Sequence, residues 1–168
     1  GSTVGQELYF SNVPFMDSLS FTFLLYASYS LALIFLLPSV ALPDQRRLQL
    51  TLDPTIRTSW PVLLLTVMFL TFIDVVIDPV ALRGDRWFLG QIYGYPEPGL
   101  YFGIPLANFL GWAIVGLIAL SAYFCIDRRL PALFHRVGDT AITTYLLLGC
   151  GLYYGVLIFN LEITFWIG

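Results

Sequence analysis

The chain has 168 residues, of which 58% are hydrophobic, 17% aromatic and 11% charged, against about 25% charged in an ordinary soluble domain. A soluble fold of this size still exposes roughly 30% of the surface of its unfolded chain, and the few polar residues here would not cover it, so lipid is the main solvent. The formal net charge of −3 offers no basic face for nucleic acid, and the lone histidine, His135, cannot assemble a multi-histidine metal centre.

A helix needs about 20 apolar residues to cross the hydrocarbon core. Four stretches qualify, at about 19–37, 60–78, 104–126 and 140–159. The first stops at Pro38. The second starts with Trp60-Pro61, proline being well suited to a first helical turn, and Pro79 is expected to end it. Asp127-Arg128-Arg129 closes the third, and an interfacial tail with Glu162 and Trp166 is expected to follow the fourth. The expected fold is an all-α polytopic transmembrane bundle of about four spanning helices, forming one membrane domain over residues 1–168.

Arginines orient this bundle. Arg46, Arg47 and Arg57 lie between the first two spans, and Arg128, Arg129 and Arg136 between the last two, whereas only Arg83 and Arg86 lie between the second and third. The positive-inside rule puts the arginine-rich loops in the cytoplasm and both ends of the chain outside. Cys125 and Cys150 fall in apolar segments at different depths and are expected to be small core residues rather than a disulfide. Gly151 and Gly155, in GLYYG, and Ala107 with Gly111 are spaced as helix-contact faces. Glycine is also common in membrane helices for less specific reasons.

Two carboxylates break the pattern. In FIDVVIDPV, Asp74 and Asp78 are four residues apart and share a helix face at the end of the second span. The C-terminal end of a helix, burial and a neighbouring carboxylate all disfavour two negative charges there. The pair is therefore expected to retain a proton and to act as a general acid, with the structural alternative that Asp78 pairs with Arg83 or Arg86. Asn108 lies one turn inside the third span, with Trp112 on the same face one turn further. An amide in lipid needs a partner, and an aspartate on the neighbouring helix would serve. The connector between these spans holds Trp87, Tyr93, Tyr95, Glu97 and Tyr101 among glycines and prolines, the composition of an interfacial belt or of a shaped lid. His135 is expected to be interfacial and uninvolved.

The string DVVIDPVALRGDRWF…GLYFGIPLANFLGW, from Asp74 to Trp112, resembles the core of the carotenoid biosynthesis membrane-protein family, which includes carotenoid 1′,2′-hydratases. NVPF and the first span are similar to the family too. Members usually carry further spans before the region corresponding to Gly1. The resemblance implies hydration of the ψ-end C1′,2′ double bond of an acyclic or monocyclic carotenoid. One of Asp74 and Asp78 would supply the proton, the other would hold the water, and Asn108 would orient them. Trp87, Tyr101, Phe102 and Trp112 are the candidates for contacting the substrate, with Tyr101 or Trp112 stabilising the cation through its ring face. The resemblance implies no metal, nicotinamide or flavin cofactor.

Two other readings fit the residues. The chain would be a non-catalytic carotenoid-binding or assembly subunit, its aromatics and glycines packing pigment, partner copies or other carotenoid-pathway proteins. Alternatively DxxxD would hold magnesium and a diphosphate, as in intramembrane prenyltransferases, although only one such motif is visible. The expected location is a bacterial or archaeal cytoplasmic membrane, the expected partners carotenoid or other isoprenoid lipid.

Overall fold

A computed structural model of the chain describes residues 9–10, 13–37, 39–41, 48–50, 54–86, 94–129 and 139–167. The expected contributions of Arg46, Arg47, Trp87, Tyr93, His135 and Arg136 lie outside the described residues. Four long helices dominate: α1 (Phe15–Leu36), α3 (Trp60–Ala81), α4 (Leu106–Arg129) and α5 (Asp139–Ile167). All four contain stretches long and apolar enough to cross a membrane. A single turn, α2 (Pro54–Arg57), precedes α3. Two short antiparallel pairings, Tyr9–Phe10 with Val13–Pro14 and Ser39–Ala41 with Leu48–Leu50, lie outside the helices.

The helices overrun the apolar runs that announce them. Pro79 does not end α3, which continues to Ala81. Proline's φ is already helical, and its missing N–H removes only one bond near a terminus. The backbone recovers at once, with Leu82 N donating to Asp78 O at 3.1 Å and Arg83 N to Val80 O at 3.0 Å. At the other end of the chain, the expected interfacial tail with Glu162 and Trp166 is the last part of α5.

α3 is the hub, packing against α1, α4 and α5, and α1 also packs along α5. In lipid there is no hydrophobic drive to bring apolar helices together, so close approach through small residues matters more than apolar area. A Cβ at Gly149 of α5 would collide with the Ser30 side chain of α1, and one at Gly116 of α4 would lie 2.7 Å from Leu70 of α3. These glycines make the helix contacts. Gly151, Gly155 and Gly111 would meet nothing within 4 Å if given a Cβ, so neither expected small-residue face packs within this bundle. Of the cysteines, Cys150 is in the core while Cys125 is exposed, a correction to its expected burial that follows from its outward position on α4.

Polar side chains within the spans mostly return to their own helices. Ser30, Thr66, Asn160 and Thr164 each donate to the carbonyl four residues back, at 2.7–2.9 Å. Between helices, Tyr26 of α1 donates to the Tyr145 carbonyl of α5 and Tyr153 of α5 to the Phe69 carbonyl of α3, both at 2.9 Å, and further polar contacts stand at the two ends of the α3–α4 pair. At one end Arg57, counted above as a loop arginine, is only 4% exposed and forms a 2.9 Å ion pair with Asp127, itself 1% exposed. Tyr29 donates to the Arg57 carbonyl at 3.0 Å, and Arg128 bonds Thr58 through both its side chain and its carbonyl.

Two outcomes are expected in thermal unfolding of the detergent-solubilised protein. Gly149→Leu lowers the transition sharply, whereas Gly151→Leu leaves it close to wild type. Arg57→Met or Asp127→Leu alone costs about 3–5 kcal/mol by stranding a buried charge, and the double variant recovers most of the loss.

Candidate functional site

The other polar end is built where the last turns of α3 meet the first turn of α4. Asp74 and Asp78 are four residues apart, so both point to the same side of α3, where they are 2% and 5% exposed. Pro105 precedes α4, and Asn108 N closes the first turn by donating to Pro105 O at 3.0 Å. That turn sets the Asn108 side chain opposite both carboxylates. Its Nδ2 donates to Asp78 Oδ2 at 2.6 Å and to Asp74 Oδ2 at 3.2 Å. One amide nitrogen therefore serves two carboxyl groups on a neighbouring helix. The start of α4 also brings the positive end of its dipole to carboxyl groups that sit at the negative end of α3.

Tyr95 joins this group from the connector. It is half-buried, and its phenol is pushed up to about 12, first by burial and then by Asp78 and Asp74. It therefore keeps its proton at neutral pH, a neutral hydroxyl within electrostatic reach of the carboxyl groups. Tyr95 stood out in the sequence only as one aromatic in a belt. What marks it is its place just before the turn that leads into α4.

That turn is tightly specified. Gly99 N donates to Gly103 O at 3.0 Å and Ile104 N to Tyr101 O at 2.8 Å. A side chain at Gly99 would collide with the Ile104 backbone, while Phe102 and Gly103 hold positive φ values of 49° and 85°. Phenylalanine rarely adopts that conformation.

The remaining candidates separate into two places. Trp112 lies one turn below Asn108, half-buried, with its ring centroid 5.2 Å from that of Phe21 on α1. It packs on the apolar cluster that includes Leu70 and Ile73 of α3. Tyr101 and Phe102 instead line a small cavity of about 220 Å³ with Val76, Pro79 and Leu161, on the side of α3 that faces α5. Tyr101 also packs edge-on against Phe109, at 5.7 Å. The site brings together Asp74, Asp78, Asn108, Tyr95 and Trp112, with Tyr101 and Phe102 one face away. Among the described residues no three His, Cys, Asp or Glu side chains converge as metal ligands, and Asn108 turns its amide nitrogen rather than its oxygen to the two carboxyl groups.

No match was found among curated proteins or solved structures. The family model described as "Carotenoid biosynthesis protein" matches residues 2–168, and on that match over almost its entire length the chain belongs to the carotenoid biosynthesis protein family.

Proposed function

We propose that this protein adds water to the ψ-end C1′,2′ double bond of an acyclic or monocyclic carotenoid by acid catalysis. The observation that carries the reading is the single Asn108 amide shared between two buried carboxyl groups. A trisubstituted alkene is a weak base, and its protonation needs an acid held in an apolar setting from which bulk water is excluded. Of the pair, one carboxyl group delivers its proton to C2′. The tertiary cation at C1′ then takes up a water molecule held by the other carboxylate, which accepts the proton that the water loses. One water is consumed, and a tertiary alcohol is formed.

Each neighbour has a part in this scheme. Asn108 keeps the two carboxyl groups at a fixed spacing. The Trp112 ring offers a π face to the passing cation. Tyr95, a neutral hydroxyl, orients the water or the acid without competing for the proton. The arginine bias of the loops supports placing this site toward the outer face of the membrane, with the Arg57 end toward the cytoplasm.

A carotenoid-binding or assembly subunit is the second reading. It is supported by the aromatic lining common to both ends of the bundle, and it differs in its products. In a host accumulating lycopene or γ-carotene, the hydratase reading expects a product heavier by one water, detected by chromatography and mass spectrometry. Asp74→Asn and Asp78→Asn are each expected to lower its formation by about 10²–10⁴-fold. An unchanged pigment profile with the protein folded and inserted supports the binding subunit instead. Asn108→Leu is expected to reduce product by about 10²-fold, the scale of losing one preorganised donor. Normal turnover in that variant would remove Asn108 from the mechanism.

A further inference from the structure

The two polar centres stand at opposite ends of one face of α4. Asn108, Trp112, Gly116, Leu120, Tyr123 and Asp127 follow each other at intervals of three or four residues, as neighbours on one side of a helix do. From Asn108 to Asp127, nineteen residues at 1.5 Å each span about 28 Å along the axis, close to the thickness of a hydrocarbon core. Beside the Asp127 half of this face is a cleft of about 560 Å³, walled by α1, α4 and α5, with Arg57 at one end. Its volume falls in the range of pockets that enclose small organic molecules.

We propose that this cleft receives the polyene chain of a carotenoid, and that the chain's unreacted end lies against the Arg57–Asp127 centre. The lining is overwhelmingly apolar and aromatic, including Leu25, Leu33, Leu120 and Tyr123. Its polar members are already engaged in ways that leave little net charge. Arg57 is paired with Asp127, Tyr29 donates to the Arg57 carbonyl, and Tyr26 donates to the Tyr145 carbonyl at 2.9 Å. An anionic head group such as a diphosphate would require uncompensated cations, and the guanidinium at this end already has a carboxylate against it. A long neutral chain needs only apolar walls, with polar atoms near its tip to accommodate a hydroxyl or keto group.

The cleft also leads toward the carboxyl groups. Leu25 lines it, and Phe21, one turn earlier on the same face of α1, packs on Trp112. Trp112 is in turn one turn from Asn108. A chain lying in the cleft therefore points its far end at the Phe21–Trp112 pair and, beyond it, at Asp74 and Asp78. The direction of the chain rests on the hydratase reading. Occupancy of the cleft does not.

The test is co-purification of pigment with the full chain, expressed in a carotenoid-accumulating host, with bound lipids identified by mass spectrometry. Thr22→Trp and Ile142→Trp add bulk from positions that line the cleft without being fully buried. Ile118→Trp adds the same bulk on the exposed outer face of α4. The expected result is an about tenfold loss of bound polyene in both cleft variants, none in Ile118→Trp, and thermal transitions near wild type in all three. If one cleft variant unfolds, the other still decides the matter. If both unfold, wild-type protein carrying a photoreactive residue at position 142 is expected to crosslink polyene, and the same residue at position 118 is not. Pigment retained in folded cleft variants, equal loss in Ile118→Trp, or phospholipid chains as the crosslinked species would overturn the proposal. The two readings fail separately. Hydration abolished in Asp74→Asn while the cleft variants keep their pigment removes the cleft alone, and pigment lost from the cleft variants with hydration unaffected by either aspartate removes the carboxyl chemistry alone.

Discussion

Inside a bilayer no water is available to satisfy a polar side chain, so each buried polar group must find its partner within the protein. This constraint fixes α4. Its main packing partner is α3, and that contact is pinned at both ends by polar bonds, Asn108 to Asp74 and Asp78 at one end and Asp127 to Arg57 at the other. Between the pins the seam is apolar, with Gly116 admitting Leu70. The arrangement fixes the register of α4 along α3, because a shift by one turn would strand both sets of partners.

The two centres differ in chemistry although both are buried. An arginine and an aspartate neutralise each other, and removal of either leaves a charge stranded in a poor solvent. Two carboxyl groups bridged by an amide have no such internal compensation. They rely on a neutral donor and on the start of α4. The first arrangement holds the helices together. The second keeps two carboxyl groups buried at one end of the spanning helices, where ionisable groups are costly. The Phe21–Trp112 pair lies between them, so an apolar chain aligned with the bundle would have aromatic surface close to its reactive end.

Much of this could be read from residues alone. The four spans followed from apolar length, and the Asp74–Asp78 face followed from a spacing of four. Asn108 was expected to seek an aspartate on the neighbouring helix, and it bonds two. Corrections arose where local rules met tertiary packing. Pro79 was expected to end a helix that instead continues beyond it, because loss of one donor near a terminus is readily accommodated. GLYYG carried a helix-contact pattern, yet Gly149, two residues before it, makes the contact. Cys125 and Cys150 are both in apolar sequence, and only the rotation of each helix decides which one is buried. Arg57 was counted as a loop charge. Nothing local distinguishes a topogenic arginine from one that folds back to meet an aspartate seventy residues later.

Apolar length and composition were enough to read a membrane protein, the four described helices long enough to cross a bilayer, and two carboxyl groups with an amide near one end of the second and third spans. Those properties follow from composition and from 3.6-residue periodicity, which are local. Tertiary structure decided which of the aromatics adjoin the carboxyl groups, bringing Tyr95 and Trp112 to them and turning Tyr101 and Phe102 toward α5. It also decided that Arg57 and Asp127 form a second buried centre, with a cleft beside it. These are matters of how helices rotate and register against one another, and that is set by a few long-range polar bonds and close glycine contacts that no window of sequence contains.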